Sequence, residues 1–239
     1  MSNIRKTILI KSSSSTGLPM ASNAEAHTLF YFCKWLSKEN YIVVSGIENK
    51  KNILKKLEGN NISIIRPFIK YLFLGKMRKF LHIPVSIINT FVDAKKIKPD
   101  LLICLGGVFY NGLGILIAGK LLGIKTIVRS AEDHIGLSNF YKTFSLNGFY
   151  SKLRALISRI VIKKSEYFIT VGSWSINYFR KIYRLFSDKS FMIPGPIDNS
   201  VTNIEGFDLN NKISKKNLLN FYNISLKTKT ILFIGSHKY

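Results

Sequence analysis

Short apolar runs alternate along the chain with segments whose apolar residues recur at helical spacing. The run DLLICLGG (100–107) is apolar through most of its length, which is typical of a strand covered on both faces. The segment that starts at Ser22 repeats its apolar residues three and four positions apart, which predicts an amphipathic helix. This repeated order of strand and helix predicts an α/β fold with a doubly wound, mostly parallel, Rossmann-like sheet.

The bounds of the predicted elements follow from these patterns and from the turn residues between them. The predicted strands are 7–11, 41–46, 62–65, 100–107, 124–129, 167–172, 190–194 and 230–235. The predicted helices begin at Ser22 and cover 114–123, 153–161 and about 174–186. In the third of them, the residues that mark the apolar face are Leu153, Leu156, Ile157, Ile160 and Val161. The apolar segment 101–123 has the length of a membrane span, but its glycines favour a strand, a glycine turn and a helix.

The loops that follow the predicted strands are the candidate ligand sites, because ligands of doubly wound sheets bind where the strand order reverses. These loops are 12–22, 105–111, 129–140, 172–175 and 194–200. Gly17 and Gly107 let a ligand approach the backbone without a Cβ atom in the way, or serve as ordinary turn glycines. Ser173 is a further candidate contact, although its position at a helix start favours an N-cap role.

Titratable side chains cluster directly after the predicted strand 124–129. The cluster consists of Arg129, Glu132, Asp133 and His134. Side chains at this edge can position acceptor hydroxyls and assist proton transfer, which makes Asp133, Glu132 and His134 the candidate catalytic residues. Asp133 is preferred over Glu132 because a shorter side chain is better pre-organised, and Arg129 can hold a carboxylate or a phosphate. The alternative is a solvated loop with a local ion pair between Arg129 and a carboxylate.

The charge balance predicts an anionic partner. The chain of 239 residues carries 36 Lys and Arg against 13 Asp and Glu, a net charge of +23, which suits nucleic acid, an anionic membrane or a phosphorylated substrate. The sequence has no glycine-rich dinucleotide or phosphate-loop motif, no paired-cysteine metal site, and four histidines without metal-ligand spacing. Neither a metal nor another cofactor is therefore expected, and the two cysteines are expected to be buried, reduced thiols.

Basic and aromatic residues interleave over the stretch 66–91, which contains no acid. The candidate membrane-surface residues in it are Arg66, Lys70, Lys76, Arg78 and Lys79. This mixture suits an anionic membrane surface, where aromatic rings lie at headgroup level and cations meet phosphate. A core helix with a basic solvent-facing side is the second interpretation. Nucleic-acid binding is the third, and it lacks any recognisable motif.

Six segments, taken in order, resemble a known arrangement. They are SNAEAHTLFYFCKWLSKENYIVV (22–44), KPDLLICLGG (98–107), GIKTIVRSAEDH (123–134), SEYFITVGSWSINYFRKIY (165–183), FMIPGPID (191–198) and TILFIGSHKY (230–239). Together they resemble the N-terminal half of a GT-B glycosyltransferase of the family 4 type. Glu25 matches the family pattern, whereas Ser22 and Asn23 stand where glycines are usual, and Ser130 stands where a histidine is usual.

The resemblance implies a division of the chain and a reaction. Residues 1–200 would form a Rossmann-like acceptor-side domain, 201–229 a connector, and 230–239 the first strand of a donor-binding second domain. The reaction would transfer a sugar from a nucleotide sugar to a polysaccharide or lipid-linked acceptor, with Gly235 on the donor side. The resemblance implies that the chain is truncated at the start of this second domain, and Ser236 replaces an arginine that usually contacts the donor diphosphate. This chain alone is therefore expected to be inactive.

These observations together predict partners and a location. The expected partners are the nucleotide sugar, the glycan or lipid-linked acceptor, an anionic membrane surface and a donor-binding domain or chain, but not nucleic acid. The expected location is the cytoplasm, peripheral to the inner face of the membrane. The alternative from a different class of protein is a non-catalytic basic module that binds an anionic membrane surface or a partner chain.

Overall fold

The computed structural model describes residues 5–12, 23–45, 61–70, 78–130, 146–171 and 173–193. Its strands are β1 (Thr7–Ser12), β2 (Tyr41–Ser45), β3 (Ile62–Ile65), β4 (Leu101–Leu105), β5 (Lys125–Arg129), β6 (Tyr167–Thr170) and β7 (Ser190–Met192). Its helices are α1 (Asn23–Leu36), α2 (Arg78–Ile97), α3 (Leu113–Leu122), α4 (Leu146–Lys164) and α5 (Ser173–Tyr183). A π-helix, Val108–Gly112, precedes α3, and a short 3-10 helix, Ser187–Lys189, precedes β7.

The seven strands form one parallel sheet in the order β3-β2-β1-β4-β5-β6-β7. The predicted doubly wound Rossmann-like sheet is thus confirmed, and each of these strands lies within two residues of its predicted bounds. The strand order reverses between β1 and β4, because β2 and β3 extend the sheet on one side and β4 to β7 on the other. The connector predicted at 201–229 and the strand predicted at 230–235 lie outside the described residues, so the predicted division into domains is untested.

Both faces of the sheet are buried at its centre. Leu9 and Ile10 are adjacent in β1, point to opposite faces, and are each fully buried. Leu9 belongs to the core that α2, α3, α4 and α5 cover, whereas Ile10 belongs to the core beneath α1. This burial on two faces explains why β4 has the sequence LLICL, without a charged or hydroxyl-bearing position.

The buried side of α2 is rich in polar side chains that recur three or four positions apart. They are His82, Ser86, Asn89, Thr90 and Asp93. α2 also packs closely on α3, because a Cβ atom at Gly114 would lie 2.9 Å from the Ser86 carbonyl oxygen and 2.9 Å from Thr90 Oγ1. Thr90 Oγ1 itself donates to the Ser86 carbonyl oxygen at 2.7 Å, so the buried Thr90 hydroxyl has a hydrogen-bond partner.

The core-facing side of α4 differs from the side that the sequence pattern predicts. The buried residues of α4 are Ala155, Ser158, Val161 and Ile162. Leu156 and Ile160, which the pattern assigned to the apolar face, are 56% and 45% exposed. The pattern was misleading because apolar residues occupy two sides of this helix, and contact with the π-helix selects the side that carries Val161.

The apolar segment 101–123 forms β4, a turn at Gly106 and Gly107, the π-helix and α3, as its glycines predict. Within the ranges given above, no helix combines the length and the apolar character that crossing a membrane requires. The π-helix itself was not predicted. Its defining bond runs from the Gly112 amide to the Gly107 carbonyl oxygen at 3.4 Å, and a single wide turn leaves no periodic pattern in the sequence.

Replacing Gly114 by alanine tests the close packing of α2 on α3. Helix propensity alone favours alanine by about 1 kcal/mol. The added methyl group would press on the Ser86 carbonyl oxygen, so we expect Gly114→Ala to lower the free energy of unfolding by about 1–3 kcal/mol. Urea unfolding followed by circular dichroism measures the change. A variant more stable than the wild type would show that the two helices do not approach this closely.

Candidate functional site

The carboxyl ends of β1, β2, β4 and β5 lie at one edge of the sheet, beside the point where the strand order reverses. We call it the switch edge, and it carries Ser12, Ser45, Gly106, Gly107 and Arg129. Ser12 pairs with Leu105, and Leu105 pairs with Arg129, so the exits of β1, β4 and β5 are level. Doubly wound folds bind their ligands at this place.

Two glycines shape the exit of β4. Gly106 and Gly107 have φ angles of 94° and 63°, in the left-handed region that glycine adopts without strain. The π-helix starts directly after them, and the Gly107 carbonyl oxygen accepts the Asn111 amide at 2.9 Å. The amino end of the helical segment formed by the π-helix and α3 therefore lies at the switch edge, where its amides favour an anionic group.

The turn at Gly107 lies against a stacked pair of rings. Tyr110 and His82 stack with their ring centroids 4.0 Å apart and an angle of 21° between the ring planes. A Cβ atom at Gly107 would lie 2.8 Å from a carbon of the Tyr110 ring. Gly107 was a predicted contact, but His82 and Tyr110 were not singled out. Their pairing joins α2 to the π-helix across a long stretch of sequence, which no local pattern reveals.

A hydrogen bond also joins α2 to the π-helix. Ser86 Oγ donates to Asn111 Oδ1 at 3.1 Å, and both side chains are buried. The Asn111 side-chain nitrogen, Nδ2, has no hydrogen-bond partner within the described part of the chain. Because a buried donor without a partner costs stability, Asn111 is the polar group in the π-helix that most needs an additional acceptor.

A buried ion pair connects three elements beneath the switch edge. Lys11 Nζ of β1 lies 2.9 Å from Asp93 Oδ2 of α2, and Ser45 Oγ of β2 donates to the same carboxylate oxygen. All three side chains are buried. Burial lowers the pKa of the Lys11 ammonium, and the neighbouring Asp93 carboxylate opposes that shift. The sequence pattern missed this group because Lys11 ends an apolar run and Asp93 lies in a helix far along the chain.

Arg129 ends β5 at the switch edge, and its side chain is half-buried. The next residue, Ser130, donates its backbone amide to the Ile169 carbonyl oxygen at 3.0 Å, which fixes the direction in which the chain leaves the sheet. The neighbouring exits of β4 and β5 thus carry Gly107 and Arg129, two of the predicted ligand contacts. Arg129 pairs in register with Leu105, which belongs to the core beneath α1, so the Arg129 side chain points to that face of the sheet. The stacked rings of His82 and Tyr110 lie on the other face, where α2 packs on the π-helix.

Most of the other site residues predicted from the sequence lie outside the described residues. They are Gly17, Glu132, Asp133, His134 and Gly235. Ser173 begins α5, in agreement with its predicted position at a helix start, but its side chain also lies outside the description. The catalytic roles of Glu132, Asp133 and His134 therefore stay predictions.

The start of the basic and aromatic stretch 66–91 is a surface segment held on α2. Arg66 and Lys70 are exposed, and Phe68 between them is 70% exposed. Asn89 fixes the segment, because its Oδ1 accepts the Ile69 amide at 2.7 Å and its Nδ2 donates to the Ile69 carbonyl oxygen at 2.9 Å. Two cations and an exposed ring are thus presented from a firmly held backbone.

From Arg78 onward that stretch belongs to α2, whose buried side packs in the core, as the second interpretation expected. Lys76 lies outside the described residues. Arg78 and Lys79 form the first turn of α2, and their side chains lie outside the description. Their predicted membrane contact therefore stays a prediction.

The chemistry of metals and thiols can be judged only for the described residues. Among them, no group of three or more His, Cys, Asp or Glu side chains is placed to hold a metal ion. Cys33 and Cys104 are free and buried, as predicted. Burial raises the pKa of the Cys33 thiol to about 12 and raises that of Cys104 as well, so neither thiol is a nucleophile near neutral pH.

Comparison with known proteins finds likeness in structure but not in sequence. No family model matches the chain, and no curated protein matches it. Similar solved structures are a glycosyltransferase from Rickettsia africae ESF-5 (12% identity, TM-score 0.51), Anabaena Alr3699/HepE in complex with UDP-glucose (13%, 0.52) and UDP-N-acetylglucosamine 2-epimerase from Rickettsia bellii (13%, 0.54). The matches cover 93%, 92% and 93% of this chain, and 51%, 50% and 52% of the other chains, respectively.

The fold is the Rossmann-like domain of GT-B proteins. The chain spans about half the length of the solved structures that it matches. Likeness at this low identity shows the fold alone, and an epimerase shares the fold with the transferases.

The buried ion pair is tested by a double-mutant cycle with Lys11→Met, Asp93→Asn and the combination of both. Each single change leaves one buried charge without its partner, so we expect each to lower the free energy of unfolding by about 3–5 kcal/mol. The double variant buries no charge and should cost clearly less than the sum of the two. Urea unfolding measures all three, and strictly additive costs would show that Lys11 and Asp93 do not interact.

The contact between Gly107 and Tyr110 is tested by comparing two glycines of similar backbone conformation. Gly107 and Gly123 have φ angles of 63° and 68°, but a Cβ atom at Gly123 meets nothing within 4 Å. Gly107→Ala should therefore cost at least about 1 kcal/mol more than the matched control Gly123→Ala, because only the former displaces a ring. Thermal unfolding measures the difference. Equal costs would contradict the close contact with Tyr110.

Proposed function

We propose that the chain is the acceptor-binding half of a glycosyltransferase of the family 4 type. The reaction transfers a sugar from a nucleotide-sugar donor to a polysaccharide or lipid-linked acceptor. The observation that carries the proposal is the match of nearly the whole chain, 92–93%, to about half of two GT-B proteins. One of them is a glycosyltransferase, and the other was crystallised with UDP-glucose. The motif order found in the sequence supports the same assignment.

The switch edge offers the groups that an acceptor needs. The stacked rings of His82 and Tyr110 provide an apolar surface with polar tips, which suits the alternating C–H and O–H groups of a sugar. The amides at the start of the π-helix and the Arg129 guanidinium suit the phosphate of a lipid-linked acceptor. Gly107, which has no Cβ atom, leaves room for the Tyr110 ring beside this turn.

The chemistry is assigned to the loop that follows Arg129. An acceptor hydroxyl attacks the anomeric carbon of the donor sugar, the bond to the nucleoside diphosphate breaks, and the hydroxyl proton leaves. Asp133 orients the hydroxyl and accepts the proton, Glu132 stabilises the positive charge that develops on the sugar, and His134 shares the proton. The donor is held by a second domain, to which the resemblance assigns Gly235. No step requires a metal.

A non-catalytic role at an anionic surface is the second proposal, and one observation favours it. Arg66, Phe68 and Lys70 form an exposed cluster of two cations and one aromatic ring on a backbone segment that Asn89 fixes. Such a cluster suits lipid headgroups. A membrane contact at this cluster is common to both proposals, because a transferase with a lipid-linked acceptor also meets a membrane surface, whereas catalysis belongs to the first proposal alone.

Turnover tests the first proposal. The chain is fused to the second half of Anabaena HepE, and sugar transfer from UDP-glucose to a panel of glycan and lipid-linked acceptors is followed by mass spectrometry. We expect transfer by the fusion and none by the chain alone. In the active fusion, Asp133→Asn should lower kcat roughly a hundredfold or more, because a positioned acid–base group is lost.

Asp188→Asn is the matched control, since Asp188 is an exposed carboxylate next to β7. It should leave kcat unchanged. If Asp133→Asn and His134→Ala both behave like the control in an active fusion, the loop after Arg129 is only a scaffold, and the acceptor groups must be sought around Gly107. A fusion that is folded but transfers no sugar to any acceptor would contradict the transferase proposal.

A further inference from the structure

The outer face of α4 carries an apolar stripe that nothing in the described structure covers. Phe149, Leu156 and Ile160 are 68%, 56% and 45% exposed. At about 100° per residue, these three positions fall within about 40° of one another around the helix axis. Scattered exposed apolar residues are ordinary on a protein surface, but three on one line along a helix form a continuous patch.

The stripe lies on the opposite side of α4 from the core. Val161 and Ile162 are almost fully buried, and both belong to the core cluster that includes β4 and β6. Their positions are rotated by roughly 120–140° from the stripe, one in each direction, so the stripe points directly away from the sheet. Among the described residues, these three side chains therefore take no part in packing against the sheet.

Basic residues border the stripe on both sides. The sequence of α4 contains five basic residues and no acidic residue. Lys152, Arg159 and Lys163 lie on one side of the stripe and Lys164 on the other, and all four are exposed. An apolar line between two cationic borders is the pattern of a helix that lies in the interface of an anionic bilayer.

A basic cleft continues the cationic border beyond the end of α4. Lys164 lines a cleft of about 330 Å³ together with Lys120, Lys125 and Glu166. Leu121, the neighbour of Lys120 at the end of α3, is 68% exposed. The cleft thus combines three ammonium groups and one carboxylate with an adjacent apolar side chain, and its net positive charge suits the phosphate of a lipid headgroup.

We propose that α4 docks the chain on an anionic lipid bilayer, with Phe149, Leu156 and Ile160 inserted at the headgroup level. Two copies of α4 would bring like charges together, which opposes self-association through this face. Nucleic acid would use the cations but would leave the aliphatic side chains without a partner. The proposal concerns a different surface from the segment 66–70, and it does not depend on sugar transfer.

Vesicle flotation with the full chain tests the docking surface. The wild type should bind vesicles of phosphatidylglycerol and phosphatidylcholine, bind weakly to phosphatidylcholine alone, and bind less as salt is raised. Leu156→Gln combined with Ile160→Gln should weaken binding by roughly tenfold or more, because the inserted groups are lost. The matched control is Trp35→Gln combined with Phe186→Gln, which removes two apolar side chains outside α4 that are 61% and 72% exposed. This control should leave vesicle binding unchanged.

Two further double variants distinguish electrostatic from apolar contributions to vesicle binding, and α4 from the segment 66–70. Lys152→Glu combined with Lys163→Glu should weaken binding to anionic vesicles by roughly tenfold or more while leaving the apolar stripe intact. Arg66→Glu combined with Lys70→Glu should have a smaller effect if α4 is the main contact. Circular dichroism and thermal unfolding confirm that each variant is folded. The proposal would be overturned if both α4 double variants are folded and bind anionic vesicles as tightly as the wild type does. It would also be overturned if the wild type binds neutral vesicles as tightly as anionic ones.

A measurement of insertion depth does not depend on the α4 double variants. A nitroxide attached at Ile160→Cys reports its depth by electron paramagnetic resonance, and the buried thiols of Cys33 and Cys104 escape labelling in the folded chain. On anionic vesicles the label should be shielded from a water-soluble relaxation agent and exposed to oxygen. A label at Trp35→Cys should stay accessible from water. A water-exposed label at position 160 on bound chains, or a stripe that instead mediates dimers, would contradict the proposal.

Discussion

The fold depends on the position of β1 at the centre of the sheet, with β2 on one side and β4 on the other. A chain that has built β1, β2 and β3 in one direction must cross back to add β4, and α2 makes that crossing. Right-handed crossovers then place α2, α3, α4 and α5 on one face and leave α1 on the other. The same reversal creates the crevice at the carboxyl ends of β1 and β4, so the candidate site is a consequence of the topology.

The polar side chains of α2 position this crossing helix relative to the candidate site. Lys11, Ser45 and Asp93 connect the crossing helix to β1 and β2, while Ser86 and His82 connect it to the π-helix. Close apolar packing, such as that of α2 on α3 at Gly114, contributes to the register of this helix. Buried polar contacts of specified geometry set one register, and this fixes the position of the π-helix relative to the exit of β4.

Periodicity predicted most of the architecture because the central strands are buried and most helices repeat apolar residues at helical spacing. The crossing helix α2 was expected only as the second interpretation of the stretch 66–91. Periodicity also located Gly107 and Arg129, since glycines and cations directly after apolar runs mark the carboxyl edge. It could not reveal the pairing of Lys11 with Asp93, which are 82 positions apart, because no local signal records a long-range contact. The sequence of α4 has apolar residues on two sides of the helix. Which side faces the core depends on tertiary packing, which buries Val161 and leaves Leu156 exposed.

The central claim is that ligands bind at the switch edge, and chemical-shift mapping by NMR tests it most directly. The uniformly labelled chain would be titrated with a panel of glycans and with a soluble analogue of a lipid-linked acceptor. The account predicts that the amide shifts of Gly106, Gly107, Tyr110 and Arg129 change together and saturate at the same ligand concentration. Saturable changes confined to the opposite end of the sheet, around Lys125, would contradict it.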